Sequence, residues 1–225
     1  MTLAEAIAQV RAGEQDGFSD VISYTAPNIW LAVSLLCGRE IGSTMTAVYR
    51  RAAEQGDGLH SPSDLRLWLC GIAYPLLLAK PDGVHPMTGR SDSEVFFRML
   101  SALPREERTA VLLLCGEGCT AAQCAQILDS PEIEIKRAMR RARASLAEHA
   151  KRERIFSGDT VNTAWILKRM KELREQKAQQ PELFSTITRC VQEGTDFVEE
   201  STSSAPGKTD PRNYFQKLFR TKRFS

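Results

Sequence analysis

A chain of 225 residues allows one large domain or two small ones with a tail. Its 42% hydrophobic and 26% charged residues are ordinary for a soluble globular protein, and its longest apolar run, Ile72 to Ala79 broken by Pro75, is too short to span a membrane. The net charge of +2 conceals an asymmetry: residues 1–92 carry seven Lys/Arg against ten Asp/Glu, residues 93–154 eleven against nine, and residues 155–225 twelve against nine.

Phosphate contact is therefore expected in the basic stretch Glu134–Arg154 and not in the N-terminal half. The opening MTLAEAIAQVRAGEQ has neither the charged lead nor the apolar centre of a signal peptide, so a cytoplasmic location is expected. The six cysteines sit at no paired spacing and read as reduced thiols.

In chain order, Leu3, Ile7 and Val10 share one helical face, and Ala12-Gly13 ends that helix. Phe18, Val21 and Ile22 open a second helix. Pro27 is expected to start a third, running through Trp30, Val33 and Leu36 to Gly38. Ser43–Glu54 follows, stopped by Gly56-Asp57-Gly58, and Ser61-Pro62-Ser63-Asp64 then signals the start of a helix carrying Leu65, Trp68, Leu69 and Ile72. Pro75 is expected to kink or end it. The stretch Ala79–Asp92 is rich in Pro, Gly, Asp and Ser and reads as a linker. No stretch alternates with period two, so the fold class is all-α.

The densest signal lies in 103–150. An apolar helix, Arg108–Cys115, is broken by Gly116-Glu117-Gly118; a short helix, Thr120–Leu128, and a turn, Asp129-Ser130-Pro131, lead into a long basic helix that ends near Ala150. This is the sequence form of a DNA-binding helix-turn-helix. Thr120 suits an N-cap and Asp129 tolerates a left-handed turn, while Ser130-Pro131 reads as an N-cap and first-turn pair. Beyond it, Thr160–Gln179 and Pro181–Glu200 read as helices, with Trp165, Leu167, Met170 and Leu173 packing back onto the second domain. Ser201–Pro211 reads as a linker. Tyr214, Phe215, Leu218, Phe219 and Phe224, interleaved with Lys217, Arg220, Lys222 and Arg223, suit an amphipathic docking helix, or more weakly a contact with an anionic membrane surface, and the plain alternative is a frayed tail.

Other chemistry is sparse. Cys115, Cys119 and Cys124 do not match common zinc spacings and have no nearby His, so no metal or other cofactor is expected. Trp30, Trp68 and Phe18 at helical spacing read as core, and His60 and His85 receive no role. Neither a nucleophile elbow nor a Gly-rich phosphate loop occurs, so neither catalysis nor a small-molecule substrate is expected.

Four stretches, in order, resemble the two-domain bacterial sigma factors of the extracytoplasmic-function group: IAQVRAGEQDGFSDVISYTAPNIWLA (7–32), LRLWLCGIA (65–73), ALPREER (102–108) and KRAMRRARASL (136–146). The resemblance implies an N-terminal helical domain (1–78) that meets RNA polymerase core, a linker (79–92), and a DNA-binding domain (93–154) that docks promoter DNA. The extension 155–225 has no counterpart in the minimal family architecture. Within the basic helix, Glu132, Glu134, Lys136 and Arg137 would lie nearest the bases, with Arg140, Arg141 and Arg143 nearer phosphates, and Ser130 at its start is a further DNA-binding candidate. An anti-sigma or other regulatory protein is a further partner that the resemblance allows. The match breaks in Glu40–Arg51: the family's clamp-binding helix presents acidic residues and a Gln-Glu pair, where this chain has Gly42, Ser43, Thr46 and Ala47. After the Trp helix a single Lys80 replaces the family's basic run. These departures leave open a second reading, a sigma-like protein-interaction or regulatory module without promoter-melting activity.

Overall fold

The computed structural model describes residues 2–198 except 13, 154, 155, 157, 178 and 179. The expected tail helix at 213–224 and the linker before it lie outside the described residues. Among the described residues there are ten α-helices and no strand: α1 (Leu3–Arg11), α2 (Gln15–Leu36), α3 (Ile41–Glu54), α4 (Leu65–Ala79), α5 (Asp92–Ser101), α6 (Arg105–Val111), α7 (Ala121–Leu128), α8 (Glu132–Arg152), α9 (Thr163–Lys177) and α10 (Pro181–Glu193).

Local chemistry sets several of these ends. Thr2 and Glu5 form a capping box on α1, Ser91 and Glu94 one on α5, and Thr120 and Gln123 one on α7. Elsewhere packing overrides local preference. Pro27 does not begin a new helix but lies inside the 22-residue α2. The residues on either side of it, Ile22, Ala26, Ile29 and Val33, all enter the same core. Their burial, at roughly 1.5–3 kcal/mol for each large side chain, outweighs the ~3 kcal/mol that an internal proline costs. Thr25 adds a tie beside the proline: its hydroxyl donates to the Val21 carbonyl at 2.7 Å and lies 2.9 Å from the Tyr49 hydroxyl. Nor does Pro75 end α4, which continues to Ala79. The proline is exposed, the residue four earlier is Gly71, and Leu77 beyond it is fully buried, so the helix keeps its anchor past the break.

The helix expected at 108–115 starts earlier, after Pro104, and widens into a π-helical turn at Leu112–Gly116, where the Glu117 N–H reaches back to the Leu112 carbonyl at 2.8 Å.

The stretch 81–90 forms no helix but runs as a strap along the end of α2. The Gly83 N–H donates to the Leu36 carbonyl at 3.3 Å and the His85 N–H to the Ser34 carbonyl at 2.7 Å. Arg105 and Arg108 clamp it to α6. Arg105 donates to the carbonyls of Leu77 and Lys80, each at 2.9 Å, and Arg108, only 5% exposed, donates to those of Ser101 and Leu103 and pairs with Asp82. One apolar cluster then runs from Phe18 in α2 through Phe96 and Phe97 in α5 to Leu146 in α8.

The C-terminal extension is part of this packing. On α9, Trp165, Met170 and Leu173 are buried as expected, but Leu167 is 44% exposed and Ile166 takes the inward position. A turn of 3.6 residues places 166, 170 and 173 on one stripe and leaves 167 beside it. Arg169 locks α9 to the start of α5: it pairs with Asp92 at 3.0 Å and lies over the Phe156 ring.

Candidate nucleic-acid interface

Two helices and the turn between them build the candidate site. Thr120 caps α7, its hydroxyl accepting from the Gln123 N–H at 3.2 Å while the Gln123 side chain accepts from the Thr120 N–H at 2.8 Å. Asp129 ends α7 in the left-handed region, with φ of 45°. The Ser130 N–H then reaches back to the Ala125 carbonyl at 3.0 Å. That bond corrects one expectation: Ser130 closes α7 instead of capping α8, and Pro131 occupies the cap of α8 with no side-chain bond. Glu132 and Glu134 in the first turn complement the positive end of the helix instead.

α8 turns Ile135, Ala138, Ala142, Leu146 and Ala150 inward. Small alanines at that spacing let it approach α6 closely. At about 100° per residue, Ile133, Lys136, Arg137 and Arg140 fall within one outward face about 100° wide. All four are exposed, Ile133 at 52%. Sequence reasoning passed over Ile133. Its signal was faint: an Ile two positions before the inward Ile135 falls on the opposite side of a helix.

The charges on this helix divide into two groups. Lys136 pairs with Glu132 and Arg137 with Glu134, each at 2.6 Å and open to solvent. Such exposed pairs contribute about 0–1 kcal/mol and open at little cost. Arg141 faces α6, where it pairs with Glu106 at 3.1 Å and with Glu107 at 3.3 Å. Glu107 is buried and also accepts from the Ser145 hydroxyl at 3.4 Å, so Arg141 joins α8 to α6. Among the described residues no ion pair involves Arg140 or Arg143, and both are exposed. The structure thus brings Glu132, Glu134, Lys136, Arg137, Arg140 and Arg143 to the outside of α8 and sets Arg141 and Ser130 apart.

Behind α7 lies a second polar cluster that the sequence did not reveal. Cys119 meets Cys124 and Cys70 of α4; hydrogen bonds from those two thiols lower the Cys119 pKa and raise those of its partners. Beside them Glu117 is buried, and burial pushes its carboxyl up to about 7 although the Asn28 amide donates to it at 2.7 Å. Tyr24, Arg66 and Cys70 share with it a small cleft between α2 and α4. No group of three His, Cys, Asp or Glu among the described residues is placed to hold a metal ion.

This helix-turn-helix coincides with a known family: residues 93–146 match the model described as Sigma-70, region 4. That segment is similar to a sigma-70 region 4 domain. The match runs from α5 through most of α8. No curated protein and no solved structure matches the chain. No helix among the described residues is long and apolar enough to cross a membrane.

Proposed function

We propose that this chain is a divergent, extracytoplasmic-function-like sigma protein that binds promoter DNA through α8 and works with RNA polymerase. The observation that carries the reading is the coincidence of the region 4 match at 93–146 with a capped helix-turn-helix whose outer face is basic. Residues 93–154 form the DNA-binding module in this reading, and residues 1–78 the module that meets RNA polymerase core. Glu132, Ile133, Glu134, Lys136 and Arg137, near the N-terminus of α8, sit where a recognition helix meets base edges. Lys136 and Arg137 can donate to guanine, Glu132 and Glu134 can accept from a cytosine amino group, and Ile133 can contact a thymine methyl. Arg140 and Arg143 meet phosphate, and Arg141 instead secures α8 against Glu107. The acidic pair holds Lys136 and Arg137 until DNA competes for them, so binding by this domain alone is weak.

A salt titration tests this assignment. Arg140→Ala with Arg143→Ala removes two phosphate contacts and flattens the slope of log K against log salt by about 2, since each phosphate contributes about 0.9. An unchanged slope would take both arginines off the DNA.

The reading as a regulatory interaction module is favoured by one observation, the packing of α10 over α3. Transcription reconstituted with core polymerase separates the two: a module without sigma activity forms no productive complex.

A further inference from the structure

The helix that departs most from the family pattern, α3, is also the one that the chain covers with its own C-terminal extension. α10 buries Phe184, Ile187 and Cys190 at a spacing of three, with Leu183 and Val191 partly buried beside them, and lies against α3 and α2. Polar contacts fix it in place. The Arg50 guanidinium of α3 donates to the Cys190 carbonyl at 3.5 Å, to the Thr195 carbonyl, and to Asp196 Oδ1 at 2.9 Å. Gln192 Nε2 donates to Ser19 Oγ of α2 at 2.8 Å. Beyond the helix, the Phe197 ring sits on Gly42, so closely that a methyl group there would overlap the ring.

These contacts give physical content to the family departures. Gly42 and Thr46, two positions where the polymerase-facing pattern is missing, are buried, and the Thr46 hydroxyl is turned inward to the Gly42 carbonyl at 2.9 Å. A charged or amide side chain at Gly42 would have to displace Phe197. The small residues thus make room for the extension. α9, by contrast, is rooted elsewhere, by Trp165, Met170 and Leu173 in the core and by Arg169 on Asp92. Lifting α10 does not require α9 to leave.

We propose that α10 together with the segment through Phe197 is a removable cap on the α2–α3 face, and that RNA polymerase core competes with the cap for that face. The inference rests on the reading above, that the N-terminal module meets polymerase. The surface beneath the cap fits a partner of the same kind as the cap: an amphipathic helix with apolar residues three apart and acceptors for the Arg50 guanidinium. A cap closed roughly nine-tenths of the time would weaken apparent binding about tenfold.

The test titrates labelled full-length chain with bacterial core RNA polymerase, comparing the unaltered chain with Ile187→Glu and with Phe197→Ala. Both changes lie on the cap and leave α2, α3 and α8 intact, and Phe197→Ala serves if the buried charge of Ile187→Glu prevents folding. Amide hydrogen exchange over 183–193 reports release of α10 independently of binding. The expected result is faster exchange in α10 with polymerase affinity raised by up to about tenfold. Released α10 with unchanged affinity overturns the cap and leaves the polymerase reading standing. No binding by any of the three chains overturns both.

Discussion

Replacing Glu117 with Gln should remove a pH dependence of stability that the native fold carries between pH 4.5 and about 7. Glu117 follows the π-helical turn and is 8% exposed, facing Asn28 of α2. Burial raises its carboxyl from the ordinary 4.5 to about 7, against the opposing hydrogen bond from Asn28 and the charges of Arg66 and Arg174. The sign follows from proton binding. Between those two values the native state holds a proton that the unfolded chain does not, so raising the pH lowers the unfolding free energy. The favourable contribution is complete below 4.5 and lost by about 7. At about 1.36 kcal/mol per pH unit, that interval amounts to roughly 3 kcal/mol. Gln keeps the acceptor for Asn28 and never ionises. Urea unfolding of both proteins at pH 5 and pH 8 should show Glu117→Gln more stable at pH 8 by up to about 3 kcal/mol, with most of that difference gone at pH 5. Taking the difference between the two proteins cancels every other titrating group. Parallel pH profiles, or a less stable variant at pH 8, would refute the argument.

Three further outcomes concern the helix-turn-helix. Thr120→Ala removes the capping box and should cost about 1 kcal/mol, read as a lower thermal midpoint. Arg141→Ala strands the Glu107 carboxylate; because Arg141 is half-exposed, the loss should be about 1 kcal/mol of stability. Its salt slope for DNA binding should stay put, whereas that of Arg140→Ala with Arg143→Ala falls. A flatter slope for Arg141→Ala would show that this residue leaves Glu107 for phosphate.

What could be read from the sequence was what local chemistry decides. The N-cap at Thr120 and the left-handed Asp129 both follow from residues within a few positions of one another. Pro27 and Pro75 misled for the complementary reason: a proline signals a break locally, but burial of α2 and α4 on both sides of it is a tertiary matter. Ser130 looked like a cap until the backbone bond to Ala125 claimed it for α7. The charges of α8 were countable, but which arginines are bound to Glu106 and Glu107 depends on where α6 lies. The same limit hid the meeting of Cys70 with Cys119 and the seat of α10. An apolar stripe such as Phe184, Ile187 and Cys190 reveals that a face is buried and says nothing of what buries it.

Transcription in vitro from a promoter library, with core polymerase and either the full chain or its Ile187→Glu form, tests the central claim most directly. The account predicts chain-dependent transcripts whose templates share an upstream element. Transcript yield should fall when Lys136 and Arg137 are replaced together, and rise with the Ile187→Glu form. Failure of both forms to join core polymerase and to select any promoter would contradict it.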